Sequence, residues 1–77
     1  MDYKIGKIIN YDNKKGWGNI VTNDKIYLFL SKDLEDNKIK NGDVVTFRGE
    51  KNSSNNLRAF FIKSYKLEQN KEGIKKR

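Results

Sequence analysis

The chain has 77 residues, enough for one small domain, with 17 Lys and Arg against 10 Asp and Glu for a net charge of +7. It contains no Cys and no His, which removes disulfides, thiolate metal sites, the commonest general base and any imidazole switch. Ser/His, Cys/His and metal-dependent hydrolysis have almost no residues to work with, and a chain this short builds little of the pocket a carboxylate-only enzyme needs.

The sequence therefore predicts a protein that is not an enzyme and carries no cofactor, and its charge favours a polyanionic partner. No apolar run nears the ~18 residues of a membrane span. The N-terminal MDYKIGK lacks a signal-peptide pattern. A cytoplasmic protein that does not bind membranes is expected.

In chain order, Tyr3–Tyr11 (YKIGKIINY) reads as a first strand, followed by a turn at Asp12–Lys15. Gly16–Thr22 (GWGNIVT) is a second strand and Asn23-Asp24 a tight connection. Lys25–Leu30 (KIYLFL) is a third strand, and Ser31–Leu34 a single helical turn with Ser31 as its cap. A polar loop, Glu35–Asn41, precedes Gly42 and a fourth strand, Asp43–Glu50. After the turn KNSSNN, Leu57–Tyr65 is a fifth strand, and LEQNKEGIKKR is a basic tail. The expected division is a domain over residues 1–66 and a flexible tail over 67–77. Five short strands with a turn about every ten residues indicate a small sandwich or barrel, and closure would remove exposed edges.

Alternation sorts the side chains into two faces. Ile5, Ile8, Ile20, Ile26, Leu28, Val45 and Phe47 are expected inside. Trp17, Tyr27 and Phe29 are left outside as neighbouring rings, with Lys7, Lys14, Lys15 and Lys25 nearby. Aromatics interleaved with lysines suit single-stranded nucleic acid, whose bases stack for about 1–3 kcal/mol each. Gly16 and Gly18 would keep the backbone beside Trp17 open to a flat base. Alternation alone leaves Tyr27 and Phe29 open between stacking outward and packing at the barrel bottom.

Several segments together resemble a known family. GKIINYDNKKGWGNI is similar to the cold-shock domain opening G-K-V-K-W-F-N-x-x-K-G-F-G-F-I. KIYLFLS resembles its second RNA-binding motif, D-V-F-V-H-F-S, and IKNGDVVTF resembles L-x-x-G-x-x-V-x-F. The resemblance covers residues 5 to about 63. It implies an all-β, five-stranded antiparallel OB-fold barrel that binds single-stranded DNA or RNA through its second and third strands. On that alignment Tyr11, Trp17, Tyr27 and Phe29 keep platform rings. Asn10, Asn19 and Leu30 stand where the family has aromatics, and Asn10 and Asn19 are candidates for base-edge hydrogen bonds.

The expected function is low-specificity binding of single-stranded RNA or DNA, as an RNA chaperone or regulator that traps unpaired bases. Lys7, Lys15 and Lys25 would contact phosphate, with Arg58 adding a contact from the last strand. Fewer rings than the family pattern imply weaker, more salt-sensitive binding. Lys75, Lys76 and Arg77 are read as a solvated terminus. A monomer is expected, with a dimer as the alternative. The competing functional class is an OB barrel turned into a protein-interaction module after losing part of its platform.

Overall fold

The structure is a computed structural model that describes residues 3–65. The basic tail expected over 67–77 lies outside the described residues. Five strands form: β1 (Lys4–Asp12), β2 (Trp17–Thr22), β3 (Lys25–Leu30), β4 (Val44–Lys51) and β5 (Leu57–Ser64). A 3-10 turn, Ser31–Asp33, follows β3. Ser31 makes no side-chain cap there, contrary to the sequence reading. The Asp33 carboxylate instead accepts from the Leu30 N–H at 3.0 Å.

The strands close into a barrel in the order β1-β2-β3-β5-β4. The expectation of a wholly antiparallel barrel is corrected: β3 and β5 run parallel, with Leu28 opposite Arg58. The other four interfaces are antiparallel. Strand direction must alternate around an all-antiparallel ring, and five is odd, so one interface has to be parallel. It falls at β3–β5 and is continued by a parallel bridge between Leu34 and Ile62.

The β2–β3 hairpin decides which residues reach the core. Its connection has only two residues, with Asn23 at φ 52, a left-handed conformation that Asn tolerates. Thr22 thus pairs with Lys25, Ile20 with Tyr27 and Gly18 with Phe29. Opposed residues share a face. Because Ile20 points inward, so do Tyr27 and Phe29, which are 5% and 0% exposed. This overturns the outward placement of those two rings. Conversely, Ile26 is 56% exposed and Leu28 only half-buried, so neither belongs to the interior. Ile5 is also exposed, because an inward Ile8 makes Gly6, not Ile5, its interior neighbour on β1.

The core holds Ile8, Ile20, Phe29, Val45, Phe47 and Ile62, all fully buried. The Tyr27 ring meets Phe47 edge-on at 5.0 Å. Ile39, from the connection before β4, is also buried. That connection is held by Asn41, whose side chain accepts from the Tyr11 N–H at 2.7 Å and donates to the Tyr11 carbonyl at 2.9 Å. Asn41 thereby completes the hydrogen bonding of β1 where its ladder is interrupted by a bulge.

A second bulge, in β5, places Phe61 at φ 53 with its ring 52% exposed. A bulky residue in this region is strained, and an exposed ring recovers little by packing. Phe61→Asn is expected to raise stability by about 1 kcal/mol, read as a higher urea midpoint at unchanged slope. An unchanged or lower midpoint would show that the ring stabilises the fold.

Candidate nucleic-acid interface

The outer surface of β1, β2 and β3 carries three rows of side chains set abreast by the strand register. Lys7, Val21 and Ile26 form the first row. Ile9, Asn19, Leu28 and Arg58 form the second, which continues across the parallel interface to β5. Asp12, Trp17 and Leu30 form the third. Trp17 is 41% exposed, so the only tryptophan of the chain lies outside the core.

The β1–β2 turn presents Lys14 and Lys15, both exposed, beside the Trp17 row. Asp12 fixes this turn. Its carbonyl accepts from the Lys15 and Gly16 N–H groups at 3.1 and 2.9 Å, and its carboxylate accepts from the Lys14 N–H at 2.9 Å. Gly16 has φ 84, a conformation glycine adopts without strain, and its carbonyl accepts from the Ser31 N–H at 2.9 Å. The turn is thus anchored to the end of β3.

Gly18 has a different role from the one the sequence suggested. It faces inward, and a Cβ there would lie 2.7 Å from Tyr11 Cα and 2.9 Å from Phe29 Cζ. The missing side chain makes room for β1 and the Phe29 ring, not for a base beside Trp17.

Among the expected site residues, Lys7, Trp17 and Asn19 lie together on this face, with Lys15 at its edge. The Asn19 amide donates to the Tyr27 carbonyl at 3.4 Å, a long bond that leaves its oxygen available. Asn10 is exposed at φ 54 in the β1 bulge. Lys25 sits at the far end of the hairpin, five residues or about 17 Å from Trp17 along the strand. Tyr11 is half-buried, its ring tilted against Phe29 at 5.2 Å. Tyr27 and Phe29 are enclosed by the core and cannot stack on a base.

Arg58 also departs from expectation. Its guanidinium donates to Asp33 at 3.2 Å and lies 4.7 Å from the Phe60 ring centroid. It ties β5 to the 3-10 turn, with its charge already countered. Two aliphatic members of the face, Ile26 and Leu28, were assigned to the interior by the sequence reading, whereas Leu30 was aligned with a platform position. The two-residue turn before Lys25 was the signal that could have found them.

Among the described residues, no cluster of three or more His, Cys, Asp or Glu is placed to hold a metal ion. No helix among them is long and apolar enough to cross a membrane. No protein-family model matches the chain, and no curated protein matches it.

Proposed function

We propose that the barrel is an OB-fold of the cold-shock type and that its outer β1–β2–β3 face binds single-stranded nucleic acid with low sequence specificity. The strand order with one parallel closure supports the fold reading. The observation that carries the function is Trp17, open to solvent on the face and flanked by the lysines of an anchored turn. One base stacks on the indole, Lys7, Lys14 and Lys15 hold phosphates, and Asn19 offers its carbonyl oxygen to a base edge. Binding traps unpaired bases and so opposes weak hairpins without hydrolysing anything.

With one ring in place of four, affinity is modest and rests largely on charge. Three phosphate contacts imply a log–log salt slope near −2, or roughly 20-fold weaker binding between 50 and 200 mM salt. Titration with oligo-dT and oligo-U, followed by Trp17 fluorescence, should show strong quenching and that salt dependence. Trp17→Ala should weaken binding by about 1–3 kcal/mol, measured with a labelled oligonucleotide. A folded protein at tens of micromolar that shows no quenching at low salt would refute this reading.

The aliphatic surface formed by Ile26, Val21 and Leu28 supports a second reading, a protein-interaction module, because exposed apolar area of this kind suits a partner protein. Binding to such a partner would vary little with salt.

A further inference from the structure

One end of the barrel opens into a cleft of about 680 Å³. Three regions meet there: the start of β1, the β2–β3 connection, and the end of β4 with the start of β5. Tyr27 contributes its floor, and Lys4, Lys25 and Lys51 reach its rim from three different strands. The cleft depends on Gly49, where a Cβ would lie 2.6 Å from Tyr27 Cε2 and 3.1 Å from Lys4 Cε. A side chain at that position would push the Tyr27 ring and the Lys4 chain apart. Thr22 holds the opposite wall, its hydroxyl donating to the Ile5 carbonyl at 2.7 Å.

The charges in the cleft are unbalanced. Among the described residues, none of the three lysines lies within 4.0 Å of a carboxylate oxygen. The one lining carboxylate, Glu50, is 4.0 Å from Arg48. Three lysines lining a concave opening, with the Asn23 side-chain amide beside them, form a receptor for a multiply charged oxyanion. The cleft also lies at the Lys25 end of the face, away from Trp17, where a strand crossing the face would leave it.

We propose that this cleft is an anion site that takes a phosphate group. Resting on the functional reading above, that group is the terminal phosphate of a bound single strand. Lys4, Lys25 and Lys51 hold the phosphate, and the bases extend from the cleft toward Trp17.

The test follows backbone amides by NMR during titration with inorganic tripolyphosphate, then with oligo-U carrying a 5′-phosphate, a 3′-phosphate or neither. Tripolyphosphate should shift the amides of Thr22, Asn23, Gly49 and Lys51 and leave those of Lys14–Gly18 in place. One end-phosphorylated oligo-U should bind about tenfold more tightly than the unphosphorylated strand. The K4Q/K25Q/K51Q variant should lose both effects, whereas K14Q/K15Q should retain the tripolyphosphate shifts. All five substitutions lie at exposed positions, so both variants should fold.

If tripolyphosphate moves the mouth amides but no oligonucleotide binds, the anion site stands with a free phosphate compound as its ligand, and the functional reading fails. If oligonucleotides quench Trp17 while tripolyphosphate shifts lysine amides all over the surface, the functional reading stands and the anion site is overturned.

Discussion

Phe29→Ala is expected to remove most of the barrel's stability. Phe29 is fully buried, faces Gly18 across the hairpin and packs against Tyr11. Replacing a buried Phe by Ala typically costs about 3–5 kcal/mol, combining lost transfer energy with the cavity left behind. A barrel this small is marginal at the outset, with stability near the low end of the ~5–15 kcal/mol range. Urea denaturation followed by circular dichroism would report the loss as a much lower midpoint. Leu28→Ala, the next position along β3 but on the outer face, should cost less than about 1 kcal/mol. If Phe29 were instead a stacking ring, its alanine variant would stay folded and only bind less. An unchanged urea midpoint for Phe29→Ala would therefore overturn the inward assignment of β3.

Gly18→Ala should be nearly as damaging, although it adds a single methyl group. The new Cβ would sit 2.7 Å from Tyr11 Cα and 2.8 Å from Tyr11 Cβ. A flexible side chain could swing away, but Tyr11 Cα is backbone, and Asn41 fixes that stretch of β1 by two hydrogen bonds. Overpacking of this kind costs about 1–3 kcal/mol, and the upper end applies where backbone must move. Urea denaturation with Gly16→Ala alongside would separate the two glycines. Gly16 has only Ser31 Oγ near its missing Cβ, at 3.6 Å, so its cost comes from φ 84 and should be about 1 kcal/mol. Equal losses at the two positions would contradict the crowding argument.

The course of the chain was largely legible in the sequence, because β-branched and aromatic runs between Asn, Gly and Ser clusters leave few other assignments. Lys25–Leu30 was read to the residue, and the remaining strands to within a residue or so. The facing of β3 was not read correctly. Ile26 and Leu28 look like core residues by type, and alternation then left Tyr27 and Phe29 outside. The Asn23-Asp24 turn carries the opposite information, since it locks the register and a shift of one residue exchanges the faces of a strand. Counting back from Thr22 and Lys25 brings Tyr27 opposite Ile20 without any structure. The parallel interface was likewise implied once five strands were closed into a ring. Two features lay beyond the sequence pattern. The Asp33–Arg58 ion pair and the Asn41–Tyr11 bonds join segments distant in sequence, and no local periodicity reports them.

The parallel β3–β5 interface also orders the way the barrel comes apart and together. Its ladder holds one pair, whereas the β2–β3 hairpin is paired from Trp17–Leu30 to Thr22–Lys25. The β1–β2–β3 meander closes through short loops, but the β3–β5 contact joins opposite halves of the chain and must wait for β4 and β5. Arg58, bonded to Asp33 across this interface, acts as the latch on that last closure. Partial opening there, with the meander still paired, is the least costly excursion from the native state. The hairpin bearing Trp17 then belongs to the longest-lived part of the molecule, and the barrel breathes along the free edge of that hairpin's own β3.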